Sequence, residues 1–198
     1  MQNAAAREVT WVNEPVADLE QRILDRIARG DRNALAELYA RYQAPIFRYL
    51  VQLIGDHGLA EEVLQDTLVA VWKSAASFEG RSTVQTWLIG IARRQAHNSL
   101  RRRALPLADA SELDVLATSE PEPEDAMLAS VEREELAAAI RCLAPVHREA
   151  LALAFVNGLS YREMATVLEI PEGTVKSRLS NAKRALRTLL EASEGVGQ

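Results

Sequence analysis

The sequence predicts an all-α protein: two small helical domains joined by a flexible acidic linker, the C-terminal one containing a helix-turn-helix. Three observations carry this reading. Apolar residues make up 48% of the 198, yet only 5% are aromatic; Ala and Leu lead the helix propensity scale, whereas strands favour β-branched and aromatic side chains. Apolar positions recur at helical spacing, and no segment sustains the strict alternation of a half-buried strand. Charge is also segregated: residues 1–105 carry 14 Lys and Arg against 12 Asp and Glu, residues 106–135 one base against ten acids, and the remainder eight bases against six acids. The net charge of -5 is therefore local, an acidic strip between two near-neutral parts.

Residues 1–17 show no period and contain Pro15, which predicts a loose tail. A domain is expected over 18–104. Asp18 is a candidate N-cap for a helix carrying Leu19, Ile23, Leu24 and Ile27 on one face, stopped by Gly30. Asp31 caps the next helix, with Leu35, Leu38, Tyr39 and Tyr42. Pro45 should break or kink it before Ile46, Leu50, Leu53 and Ile54 continue to Gly55. In "LAEEVLQDTLVAVWKS", Val63, Leu64, Thr67, Leu68, Val71 and Trp72 form an apolar stripe, opposite Glu61, Glu62, Gln65 and Asp66. The loop "SFEGRS" leads into a helix over 83–103 whose apolar side holds Val84, Trp87, Leu88, Ile91 and Leu100.

A linker is expected over 105–125, where Pro106, Pro121, Pro123 and many acids leave too little apolar surface to offset ordering entropy. A second domain follows over 126–192, with a short tail at 193–198. Its first helices should bury Leu128, Val131, Leu136, Ile140, Val146, Leu151 and Phe155, and Cys142 should be a buried helix residue. In "SYREMATVLEIPEGTVKSRL", Ser160 and Glu163 form an S-x-x-E capping box. Met164, Ala165, Leu168, Ile170, Val175 and Leu179 supply the contacts between two short crossing helices, a helix-turn-helix pattern. Glu169 occupies the turn where Gly is usual, so a positive φ there would carry strain.

The second helix of that motif, "TVKSRLSNAKRALR", holds Lys176, Arg178, Lys183, Arg184 and Arg187 and no acid. A solvated helix normally mixes signs, because like charges repel and i,i+4 pairs of opposite sign attract. An external polyanion would relieve the repulsion, and neutralising about five phosphates implies a log–log salt slope of roughly -4.5. A second acid-free run, "ARRQAHNSLRRR", carries Arg93, Arg94, Arg101, Arg102 and Arg103, with His97 and Asn98 between them. Arg94, His97, Asn98 and Arg101 share a helical face opposite the apolar stripe, and Arg and Asn make bidentate base contacts. Two basic helices in separate domains suggest a bipartite DNA target. A linker of ~20 residues reaches at most ~70 Å, about the span of 20 base pairs at ~3.4 Å per step.

Enzyme chemistry finds no support in the residues present. His57, His97 and His147 lie far apart without ligand-spaced partners, and no Gly-rich phosphate loop occurs. Glu61 and Glu62 diverge by ~100° on a helix and cannot share a site. One cysteine, Cys142, allows no intrachain disulfide and no thiolate cluster. No metal site and no cofactor are expected. No apolar run approaches a membrane span, and the N-terminus lacks signal-peptide order, which together predict a cytoplasmic protein without direct membrane insertion.

The stretches "AEEVLQDTLVAVWKS", "STVQTWLIGIARRQAHNSLRRR" and "LSYREMATVLEIPEGTVKSRLSNAKRALR", in that order and spacing, resemble the sigma-70 family of RNA polymerase sigma factors. The similarity is to the small extracytoplasmic-function (ECF) group, and it covers nearly everything from Leu19 to Leu190 except the linker. The resemblance implies a non-catalytic specificity subunit that binds core RNA polymerase, through the β′ clamp and the β subunit, and directs promoter-specific initiation. It implies clamp binding by Glu62, Gln65 and Asp66. It implies −10 DNA recognition and melting by Phe78, Glu79, Gly80, Arg81, Ser82 and Thr83 of the loop, with Arg93, Arg94, His97, Asn98, Arg101 and Arg102. Duplex −35 recognition falls to Thr174, Lys176, Ser177, Arg178, Asn181 and Lys183. Trp87 resembles a melting-region aromatic, although its place on the apolar stripe favours packing. An anti-sigma factor, membrane-linked or soluble, is the implied regulator, and no small-molecule substrate is implied. A stand-alone helix-turn-helix regulator is the alternative, but it leaves "EEVLQDT" and the second basic helix without a purpose.

Overall fold

The computed structural model describes residues 16–104 and 134–194, and all regular structure in them is helical. Helix α1, Val16–Ala28, begins inside the segment expected to be tail. Asp18 is thus not the cap but a first-turn residue, where a carboxylate complements the positive end of the helix dipole. Ile23, Leu24 and Ile27 are buried. Gly30, at φ +89°, turns the chain, and Asp31 caps α2 (Arg32–Ile54) by accepting from the N–H groups of Asn33 and Ala34 at 2.8 and 3.2 Å. Arg26 also donates to Asp31 at 2.8 Å, and these partners, the guanidinium first, hold the Asp31 carboxyl below its usual range.

Of the break or kink expected at Pro45, the break does not occur: α2 runs through the proline as one helix. An interior proline costs about 3 kcal/mol. Tyr42, Ile46, Tyr49 and Leu50 are buried on both sides of it, and burying even two such side chains gains a similar amount. Helix α3, His57–Ser74, is capped by Asp56 and buries Val63, Leu64, Thr67 and Val71, leaving Leu68 and Trp72 half-buried. The Thr67 hydroxyl is satisfied by donating to the Val63 carbonyl at 2.7 Å. A 3₁₀ turn, Ala75–Ser77, precedes the loop into α4 (Val84–Ala104). This helix buries more than the one stripe expected: Thr86, Ile89, Ala92 and Ala96 are inaccessible as well. It packs against α2 and α3 and also against a helix of the C-terminal unit, so a single-face pattern underestimates it.

The linker over 105–125, with Leu128 and Val131 beyond it, lies outside the described residues. The chain is helical over 134–142 (α5), then in α6, Pro145–Leu151, with the proline at the helix start where its missing N–H costs nothing. A π turn, Ala152–Val156, follows. Four expected core residues prove exposed: Leu136 at 40%, Val146 at 47%, Phe155 at 66%, and Cys142. The π turn explains Phe155, because its extra residue rotates the chain out of the register that buries Leu151. Val146 lies in the first turn of a short helix, and Cys142 ends α5 on its open side.

The helix-turn-helix is α7 (Tyr161–Leu168) and α8 (Glu172–Glu194), the latter running two residues into the expected tail. Ser160 and Glu163 form the full capping box. Met164, Leu168, Val175 and Leu179 are buried between the helices, with Ala165 and Ile170 half-buried. Glu169 adopts φ 57°, ψ 42°, the left-handed turn the sequence requires of a non-glycine residue.

Candidate nucleic-acid and polymerase interfaces

On α3, Glu61, Glu62, Gln65 and Asp66 all face solvent, as the amphipathic pattern demands. Asp66 lies 3.8 Å from Arg102 and Glu62 lies 3.7 Å from Arg103, linking this acidic face to the basic end of α4. Exposed pairs of this kind contribute about 0–1 kcal/mol, so a protein partner displaces them at little cost. Beside Gln65 a cleft of about 410 Å³ opens between α2 and α3, with Phe47 and Leu64 as apolar floor and Tyr39, Gln43 and Glu61 at its rim. Gln43 and Phe47 escape the sequence reading, and Tyr39 enters it only as an apolar helix residue, because all three belong to α2 and adjoin Gln65 only in the fold.

In the loop, Phe78 is half-buried with its ring 5.3 Å from Trp87, which supports packing as the main role of both aromatics. Glu79 pairs with Arg81 on the surface, and Gly80 takes φ +69°. Ser82 bonds the carbonyl of Thr83 at 3.3 Å. The Thr83 hydroxyl accepts from the Thr86 N–H at 3.2 Å and so caps α4. Arg94, His97, Asn98, Arg101 and Arg102 are exposed along α4, and Arg101 donates to Asn98 at 3.3 Å. Arg93 is different. Its Nε donates to Glu149 of the other unit at 2.7 Å, and only 21% of its side chain is exposed.

At 100° per residue, the core side of α8 is set by Val175, Leu179 and Ala182, all buried. The six −35 candidates then divide between two flanks. Thr174, Ser177, Arg178 and Asn181 share one, where Arg184 donates to Asn181 at 2.6 Å and Arg178 has no ion-pair partner among the described residues. Lys176 and Lys183 lie on the other flank, over the rings of Tyr161 at 5.7 Å and Phe155 at 5.3 Å. Such cation–π contacts are worth about 0.5–1 kcal/mol at exposed sites. Lys183 also lines an apolar cleft of about 690 Å³, with Leu136, Leu151, Phe155, Leu186 and Leu190 among its walls and Arg148 and Arg187 at its rim.

The buried apolar residues of the two units form one continuous core, and polar residues of the C-terminal unit bond across the contact. Glu149, 4% exposed, accepts from Arg93 and from the Tyr49 hydroxyl at 3.1 Å, and lies 3.9 Å from His97 Nε2. Burial, and then the Glu149 charge, push the Tyr49 phenol well up, so it remains a donor. The Asn157 side-chain amide donates to the Pro45 carbonyl at 3.2 Å, and the Asn157 backbone carbonyl accepts from Gln85 at 2.8 Å. Glu163 accepts from the hydroxyls of Thr83 and Thr86 at 3.2 and 3.1 Å while capping α7. Partial burial raises its carboxyl, but the Ser160 hydroxyl and amide, with Thr86 and Thr83, bring it below the ordinary range. The sequence offers no local signal for these contacts. Among the described residues no group of His, Cys, Asp and Glu could hold a metal ion, and no helix is long and apolar enough to cross a membrane.

A two-unit helical fold with an exposed basic helix in each and a helix-turn-helix at the C-terminal end is the architecture of a promoter-specificity subunit. The family model for sigma-70 region 2 matches residues 38–105, and that for sigma-70 region 4 matches residues 133–186. The chain is 33% identical to the RNA polymerase sigma-H factor of Pseudomonas aeruginosa, over 87% of this chain and 94% of that one. It is 29% identical to the ECF RNA polymerase sigma factor SigK of Mycolicibacterium vanbaalenii, over 85% and 87% of the two chains. Among solved structures it is similar to the sigma factor RpoE of Bartonella quintana in complex with the anti-sigma factor NepR. That match has 27% identity and a TM-score of 0.65, and covers 78% of this chain and 97% of that one. The chain belongs to the sigma-70 family, in its ECF group, and is a sigma factor that directs transcription initiation by RNA polymerase.

Proposed function

We propose that this sigma factor holds core polymerase through Glu62, Gln65 and Asp66 of α3, together with the adjoining cleft of Tyr39, Gln43 and Phe47. Its exposed α4 residues Arg94, His97, Asn98, Arg101 and Arg102, with the loop at 78–83, engage the −10 element. Thr174, Ser177, Arg178 and Asn181 read the −35 element as duplex, and Lys176 contributes charge from the other flank of α8. The protein itself performs no chemistry, acts in the cytoplasm, and serves a stress response. An anti-sigma factor regulates it, as in the similar RpoE–NepR complex. The apolar cleft rimmed by Arg148, Lys183 and Arg187 suits an amphipathic helix with an acidic flank as the regulator's anchor. The observation that carries the core-binding assignment is the solvent-facing position of Gln65 and Asp66 on a helix whose other side is buried.

The test is capture of core polymerase by the immobilised chain. Gln65→Ala with Asp66→Ala is expected to weaken capture at least tenfold while leaving the thermal melt unchanged, since both positions are exposed. Undiminished capture by the double variant removes α3 from the assignment.

A further inference from the structure

We propose that Arg184 is a further specificity-determining residue of the −35 surface: by holding the side-chain oxygen of Asn181, it makes the pair a reader of guanine rather than adenine. This rests on the −35 reading of α8 and names the base that one part of that surface selects.

The acid-free stretch "TVKSRLSNAKRALR" contains five bases. Four already have a place: Arg178 on the flank with Thr174, Lys176 and Lys183 over aromatic rings, and Arg187 at the rim of the apolar cleft. Arg184 meets no carboxylate among the described residues, and its Nη2 donates instead to Asn181 Oδ1 at 2.6 Å. Seven residues after Ser177, position 184 returns to within about 20° of it around the helix, so Arg184 extends the flank assigned to −35 DNA. Both Asn181 and Arg184 are exposed. A bond to a neutral amide also leaves the Arg184 charge uncompensated and open to an anionic groove.

The chemistry of the pair follows from which atoms remain. A guanidinium only donates, so the Asn181 amide must turn its oxygen toward Arg184 and its Nδ2 hydrogens away. Asparagine reads adenine with both ends, donating to N7 and accepting from the N6 amino group. Here the accepting end is held by a cation, and the adenine amino group would meet a guanidinium, donor against donor. Guanine presents two acceptors, N7 and O6, in the same groove. Asn181 Nδ2 and the Arg184 guanidinium together offer a row of donors that matches them.

The test is transcription by core polymerase with the full chain from a promoter library randomised across the −35 element, read by sequencing the transcripts. Melting curves of each variant show that it is folded, as expected for substitutions at exposed positions of α8. Asn181→Ala identifies the position that depends on this side chain. At that position the wild type should favour guanine over adenine by at least about fivefold, the lower end of what one good base contact discriminates. Arg184→Ala frees Asn181 Oδ1 and should move the preference at the same position toward adenine by a similar factor. Arg184→Lys, which keeps a charged donor, should leave guanine ahead. A wild-type preference for any other base there overturns the proposal. So does an Arg184→Ala variant that keeps the wild-type preference, or that lowers output evenly from all promoters, the signature of a phosphate contact or a solvated surface bond. If Asn181→Ala changes no position while Arg178→Ala does, the proposal falls and the −35 reading stands; if neither changes any position, the −35 reading falls with it.

Discussion

Glu169 is the one non-glycine residue with positive φ among the described residues, and it sits where α7 turns into α8. The left-handed conformation costs an L-residue roughly 1–2 kcal/mol, part of which glycine would give back in unfolded-state entropy. Glu169→Gly is accordingly expected to stabilise the protein by about 0.5–1 kcal/mol in urea unfolding, without altering promoter choice. Glu163 carries a second residue-scale consequence. Its folded carboxyl lies below the ordinary value of 4.5, so its stabilisation is complete above that value and is lost as pH falls through the lowered one. Amide exchange at Ser160, whose N–H donates to Glu163 at 2.9 Å, should lose protection on acidification before the buried Met164 amide does. Equal loss at both sites would show that the capping carboxylate is not the titrating group.

At the scale of the element, α8 serves two surfaces. One flank presents Thr174, Ser177, Arg178 and Asn181; the other sets Lys176 and Lys183 over aromatic rings and borders the apolar cleft. Arg178→Ala should cost about 1–3 kcal/mol in promoter binding and relax sequence preference, whereas Lys183→Ala should leave that preference intact. A promoter-variant selection distinguishes them, and altered preference in Lys183→Ala would show that the flanks are misassigned. Helix-scale features were the most legible in the sequence, because caps and turns are local: Asp31, Gly55 and the Ser160–Glu163 box all lie where the pattern put them. Phe155 was misread because a π turn shifts the register without any signal in the 3.6-residue period. Of the break or kink expected at Pro45, the break does not occur, because propensity yields to burial on either side. Residues such as Tyr39 and Phe47 could not be joined to Gln65 from sequence, since only the packing of α2 on α3 brings them together.

For the whole molecule, the order and spacing of two basic helices around an acidic strip were enough to suggest a two-point DNA contact. The docking of the two units was not, because Glu149 and Tyr49 are 100 residues apart in the chain and neither pattern points to the other. Ile89, Ala92 and Ala96 on α4 are the trace this left: apolar residues beyond the expected stripe on a helix that contacts both units. The most direct measurement is run-off transcription by purified core polymerase, with and without this chain, over a library of genomic fragments. Transcripts that depend on the chain, from promoters sharing two separated sequence elements that each tolerate little change, are the predicted result. No chain-dependent transcript, or dependence on a single element alone, would contradict it.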